Sequence, residues 1–187
     1  MGSRRLGVAL LAAGSSQRFG ADDKLAADFQ GKMLAEHAAL AIPVKEFEHA
    51  WVITRGPTHP CEPSWREQGF AVMINPNAEQ GMGTSVSCAA RAAVEASLDA
   101  LLIALADMPL VPHSHFEALM QASTGPSAIA VSAQGDTRMP PAIFGSAHFE
   151  ALSQSTGDQG AQMLLQQGTL VDCPPEWLKD IDTIKDL

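Results

Sequence analysis

Apolar residues in this chain come in short unbroken runs, separated by stretches where they recur every three to four positions. Runs at residues 6–13, 50–54, 70–74, 100–105, 128–132 and 142–144 predict strands. The intervening stretches 33–42, 84–97, 113–122, 147–154 and 158–167 predict helices. Several strand runs are continuously apolar rather than alternating, which marks strands covered on both faces. The expected class is therefore α/β, a mainly parallel sheet with helices on both sides. Ligands of such sheets sit beyond the carboxyl ends of the strands. Residues 57–63 predict a loop and Gly125-Pro126 a turn. With no linker, repeat or low-complexity tract, residues 1–187 are expected to form a single domain.

Composition narrows the partners. The net charge of −9 argues against a general nucleic-acid binder, which would carry a basic face. No apolar stretch approaches the roughly 18 residues of a membrane span. The three cysteines (Cys61, Cys88, Cys173) show neither zinc spacing nor a disulfide framework, so a reducing, cytoplasmic setting is expected. Arg4 and Arg5 followed by an apolar stretch have the outline of a secretory signal. Its apolar part is at the short limit, and cleavage would discard a strand, so the segment is read as structure.

The most informative segment is LGVALLAAGSSQRFGADDK, residues 6–24. A buried strand opens at Gly14 into a small-residue loop, and Arg18 and Lys24 follow. Glycine lets backbone N–H groups approach an anion, and the cations add charge that dipoles cannot supply. This is a phosphate-holding arrangement, although an ordinary strand-to-helix turn has similar letters. It is neither a Walker loop nor the dinucleotide fingerprint.

Later strands end on further chemistry. Asp107 follows the apolar run at 100–105 and precedes Pro109; it reads equally as a hard-cation ligand or a helix cap. Gly81, Gly83, Thr84 and Ser85 form a second glycine loop at a helix start, suited to a base or sugar edge or to plain capping. Arg138 precedes Pro140 in a predicted loop and would suit a second anionic substrate or open solvent. Asp158 opens a helix, where an acid favours the dipole. Asp180 and Asp182 stand in an acidic terminal stretch beside a Thr183/Asp186 helix-start pattern. The six histidines show no metal-binding pattern, and the methionines read as packing.

Five segments occur in one order: LAAGSSQRFGADDK, NP…GMGTS, ADMPLV, FGSAHFEAL…GDQGA and DIDTIKDL. Together they resemble the MobA-like nucleotidyltransferase family, and within it the molybdenum cofactor cytidylyltransferase branch. The resemblance covers nearly the whole chain. It implies a Rossmann-like three-layer α/β sandwich, with Leu11, Ala12, Ala13 and Gly14 lining the nucleotide pocket. It further implies Arg18 and Lys24 on the triphosphate, Gly81, Gly83 and Ser85 near the base, and Mg²⁺ on Asp107 with Asp182 or Asp180. Arg138, Pro140 and Asp158 would face the acceptor. Ala106, Met139 and Ile184 depart from the family pattern, Met139 on the acceptor side. Ala13 replaces a glycine of the guanylyltransferase branch, and its methyl would favour the smaller base of CTP over GTP by about 1–3 kcal/mol.

The implied reaction transfers CMP from CTP to molybdopterin with release of pyrophosphate. Lys24, Arg18 and Asp107 would carry the catalysis by positioning and electrostatics. Alternatives are use of GTP, transfer to a sugar phosphate, a non-catalytic carrier that hands cofactor to a partner molybdoenzyme, and a plain nucleotide binder.

Overall fold

The structure is a computed structural model, which describes residues 4–14, 23–157, 161–183 and 186. Its strands are β1 (Leu6–Leu11), β2 (Asp28–Phe29), β3 (Lys32–Met33), β4 (His49–Thr54), β5 (Ala71–Ile74), β6 (Ala100–Leu105), β7 (Ile129–Gln134), β8 (Thr137–Gly145) and β9 (Thr169–Asp172). Its α-helices are α1 (Leu34–Ala41), α2 (Glu62–Glu67), α3 (Met82–Glu95), α4 (His113–Ala122), α5 (Phe149–Ser153) and α6 (Gln162–Leu165). β2 and β3 pair as a small hairpin, and the others form one seven-stranded sheet in the order β5-β4-β1-β6-β8-β7-β9.

The sheet is mainly parallel, as expected: β5, β4, β1 and β6 run together, and β9 is parallel to β7. Only β8 runs against its neighbours β6 and β7. This reversal brings the start of β8 to the same rim as the carboxyl ends of β1, β4, β5, β6, β7 and β9. Chemistry after any of these strands therefore faces one edge.

The unbroken apolar runs are explained by burial on both faces. In β1, Val8 and Leu10 pack with α1, α2 and α4, through Leu34, Trp65 and Phe116. Ala9 and Leu11 point the other way, onto α3, α5 and α6, through Ala89, Leu152 and Leu165. All four β1 side chains are almost fully buried. Three layers with two cores result, the Rossmann-like sandwich that the pattern and the resemblance imply. The segment with the outline of a signal is the sheet's interior strand between β4 and β6. No helix among the described residues is long and apolar enough to cross a membrane.

Several expected boundaries shift, most for a local reason. β1 ends at Leu11 rather than 13, although the Ala12 N–H still continues the pairing with β4 by donating to Ile53 O at 2.8 Å. The predicted loop 57–63 ends in α2, whose first turn accepts Pro63 because a first-turn N–H needs no partner. Met33 belongs to β3, and its N–H donates to Glu36 Oε2 at 2.9 Å, which starts α1 one residue late. α3 begins two residues early, at Met82, after Gly81 turns the chain at φ 105°. β8 is nine residues long, not three: Pro140 and Pro141 hide its strand character, and a register shift opposite them lies between Val131 and Ser132. β9 was not expected, since its short exposed run carries no period. In the predicted helix 158–167, α6 occupies only Gln162–Leu165, and residues 158–160 lie outside the described part.

Candidate active site

The site begins where β1 ends. Leu11 O accepts the Ala106 N–H at 3.0 Å, so the loops after β1 and β6 are tied together at the rim. Ala12 and Ala13 are buried there, and Gly14 is exposed with open space where a Cβ would stand. Asp107 follows two residues after β6. Its carbonyl accepts the Ile181 N–H at 3.0 Å, which stitches the C-terminal segment alongside. Leu178 and Ile181 anchor that segment in the core and leave Asp180 and Asp182 at the edge.

Lys24 reaches the same point from a one-turn 3-10 helix, Lys24–Ala26, whose Leu25 is buried. Lys24 Nζ lies 2.9 Å from Asp107 Oδ2 and 3.0 Å from Asp182 Oδ1. Asp107 and Asp182, 83 and 158 positions beyond Lys24 in the chain, thus share its one ammonium. Burial pulls the Lys24 ammonium toward neutrality, but Asp107 and Asp182 outweigh it and raise its pKa above the usual lysine range. Asp180 is pushed upward by burial first, then by the charges of Asp182 and Asp107. Among the described residues, the carboxylates of Asp107, Asp180 and Asp182 thus outnumber the one ammonium of Lys24 at this point, an excess of negative charge.

That excess is what a divalent cation would offset. Among the described residues no cluster of three or more His, Cys, Asp or Glu side chains is arranged as a ready-made metal cage. Mg²⁺ does not need one: it commonly takes one or two carboxylates and completes its shell with water and substrate phosphate oxygens. The hard oxygens of Asp107 and Asp182, already drawn to one point, fit such an ion.

The second glycine loop is organised by Asn75, a residue after β5 that is 3% exposed. Its amide donates to Thr84 Oγ1 and Ser85 Oγ, both at 2.9 Å, and its Oδ1 accepts the Asn77 N–H at 3.0 Å. Ser85 is buried by this contact. Gly83 is required by close packing: its N–H donates to Gly157 O at 2.6 Å, and a Cβ would stand 2.5 Å from that oxygen. Both residues hold the loop at the rim by packing. On the acceptor side, Arg138 and Pro140 lie on β8, the neighbour of β6, and Arg138 Nη1 donates to Gln166 Oε1 at 2.8 Å. Arg18 and Asp158 lie outside the described residues.

Sequence reasoning missed three residues. Asp23 caps the Lys24 turn, its Oδ1 accepting the Leu25 N–H at 3.0 Å; an acid immediately before a turn was a usable signal. Asn75 opens the NP…GMGTS segment, which was its signal; His59 had none, because its partners are set by the folded loops.

Comparison with known proteins agrees with this architecture. The MobA-like NTP transferase domain matches residues 8–172. The purine catabolism protein PucB of Bacillus subtilis (strain 168) is 31% identical over 172 residues, covering 86% of this chain and 80% of PucB. In fold, the chain is similar to the crystal structure of Rv0371c in complex with manganese, from Mycobacterium tuberculosis H37Rv (TM-score 0.68, 19% identity, 99% of this chain and 96% of that one). It is also similar to molybdopterin-guanine dinucleotide biosynthesis protein A from Archaeoglobus fulgidus (TM-score 0.65, 19% identity, 96% and 94%). The match over residues 8–172, together with the 31% identity to PucB over most of both chains, places the chain in the MobA-like NTP transferase family, as a nucleotidyltransferase.

Proposed function

We propose that this nucleotidyltransferase transfers CMP from CTP to the terminal phosphate of a molybdopterin-type acceptor and releases pyrophosphate. The observation that carries the reading is Lys24 Nζ held at 2.9 and 3.0 Å between Asp107 and Asp182, at the edge where β1 and β6 end. An acceptor oxygen forms the new bond to the α-phosphorus while the bond to the β-phosphate oxygen breaks. The acceptor phosphate is already ionised at neutral pH, so no general base is required. What the protein must overcome is repulsion between two anions.

Lys24 serves this by exchanging carboxylate oxygens for triphosphate oxygens and following the charge onto the leaving pyrophosphate. Arg18 is assigned the same triphosphate. Asp107 and Asp182, with Asp180 as an alternate, would hold Mg²⁺, which would add positive charge against the triphosphate. Leu11 to Gly14 line the nucleotide, with Gly81, Gly83 and Ser85 shaping the base side. Arg138, Pro140 and Asp158 are assigned to the acceptor. The molybdopterin acceptor is supported by the family and by the fold neighbour named for molybdopterin-guanine dinucleotide biosynthesis.

The test is a screen of the four NTPs with molybdopterin and Mg²⁺, read as pyrophosphate released. Release with CTP that depends on molybdopterin supports the proposal. Release with GTP alone assigns a guanylyltransferase, and release only with a sugar phosphate reassigns the acceptor. CTP binding with no turnover under any condition leaves a carrier. In the same screen Ala13→Gly is expected to shift preference toward GTP by about 10–200-fold.

A further inference from the structure

We propose that His59 is a positioning residue for Lys24, acting through Asp23 from the loop between β4 and α2. This inference rests on the assignment of Lys24 to the triphosphate. The loop grips the Lys24 turn on both sides of that residue. On one side, His59 Nε2 lies 3.0 Å from Asp23 Oδ2. On the other, the Cys61 thiol donates to Leu25 O at 3.6 Å. Asp23 is thereby used twice, with Oδ1 capping the turn through the Leu25 N–H and Oδ2 facing His59.

His59 is itself fixed. Its Nδ1 accepts the Cys61 N–H at 3.1 Å, and its Nε2 meets Asp23 Oδ2 as a close polar contact rather than an aligned hydrogen bond. The ring stacks on Trp65 at a centroid distance of 4.6 Å and an interplanar angle of 25°. Trp65 is fully buried and donates from Nε1 to Ala35 O at 3.4 Å, so the stack rests on the core. The His59 side chain is only 9% exposed, whereas that of Asp23 is 43% exposed. The contact with His59 is the largest influence on the Asp23 carboxyl, which is held below the usual carboxylate range, with Leu25 N–H and nearby Arg55 adding to it.

Lys24 has reason to need this anchor. Its ammonium faces two carboxylates and must exchange them for phosphate oxygens without its backbone being drawn along. A turn of three residues has too few internal hydrogen bonds to resist that pull alone. The Asp23 cap and the His59 contact supply the restraint, and displacement of a reacting group by about 1 Å can cost a hundredfold in rate.

The test compares His59→Ala and His59→Gln, each with and without Lys24→Met, in the full chain. Two readouts are used: kcat/KM for CTP from pyrophosphate release, and calorimetric affinity for inorganic tripolyphosphate. We expect His59→Ala to lower kcat/KM about tenfold or more and to weaken tripolyphosphate. Gln places an amide nitrogen toward Asp23 and should restore most of both while lacking the ring that stacks on Trp65. In the Lys24→Met background, His59→Ala should cost less than about twofold more. Equal losses in the Ala and Gln variants, or a full additional loss in the Lys24→Met background, would overturn the proposal. If His59→Ala does not fold, Asp23→Ala is read by the same cycle and must show the same non-additivity. Wild-type tripolyphosphate binding without turnover rejects the transfer reading yet leaves the His59 comparison readable; no binding at all rejects both.

Discussion

Lys24→Met removes one charge and keeps most of the aliphatic stem. The Lys24 side chain is 13% exposed, Asp107 24% and Asp182 42%. A charge-assisted hydrogen bond contributes about 1.5–3 kcal/mol when well shielded, and an exposed ion pair about 0–1 kcal/mol. The Asp107 contact therefore dominates, and the Asp182 contact is discounted for solvent screening. Against both stands the cost of burying the ammonium, so the net loss is expected to be about 1–3 kcal/mol. At about 2–4 °C per kcal/mol for a chain of this size, Tm should fall by roughly 2–12 °C. Thermal unfolding followed by circular dichroism, at pH 7.5 in EDTA, measures it. The deficit should shrink on acidification: Lys24 pulls the raised Asp180 pKa downward, so without it that carboxyl costs more stability while ionised, and the extra cost disappears as pH falls through the folded pKa. Mg²⁺ should recover part of the loss by replacing the missing positive charge. A variant melting within 1 °C of wild type in EDTA, or a deficit unchanged at acid pH, would refute the charge balance drawn for this rim.

Asp107→Asn should keep the fold within a few degrees in Tm while pyrophosphate release falls at least about a hundredfold, as loss of a group that stabilises developing charge does; turnover near wild type at saturating Mg²⁺ removes Asp107 from the mechanism. Gly83→Ala should destabilise by about 1–3 kcal/mol in urea unfolding, because its Cβ meets the Gly157 carbonyl and the Thr156 backbone, which cannot move aside as a flexible side chain would; an unchanged midpoint would show that the two segments separate freely. His115 is 2% exposed, sits 2.8 Å from Ser132 Oγ, and is kept below the usual histidine pKa by burial. The unfolded state then binds the proton more readily, so stability should be lost as pH falls through about 6.5 and below. His115→Gln should flatten that part of the pH–stability curve, and an identical slope in the variant would exclude His115 as its source.

The strands that could be read directly are those buried on both faces. β1, β4, β6 and β7 show themselves as apolar runs because helices cover each side, whereas β5 carries an apolar run at the sheet edge with Ile74 exposed. Pro140 and Pro141 look like loop residues and hide most of β8, whose strand partners come from its antiparallel pairing with β6 and β7. β9 is a short edge strand with Leu170 exposed, and it has no run to read. In the site, Lys24 and Asp107 are legible because each follows a strand or its loop at a recognisable motif. Asp182 was legible through the acidic terminal segment. That all three meet at one ammonium depends on Ile181 tying the tail to Asp107, a contact with no sequence signature. Gly83 and Ser85 were read as ligand-facing, but the structure first occupies them with Gly157 and Asn75. Local letters do not distinguish a glycine that approaches a ligand from one that approaches another loop.

The most direct measurement is a crystal structure with a non-hydrolysable CTP analogue and Mg²⁺. The account predicts the triphosphate in the cleft between the β1 and β6 loops, Lys24 Nζ on a phosphate oxygen and the metal on Asp107. A nucleotide bound elsewhere, with Lys24 still locked between Asp107 and Asp182, would contradict it.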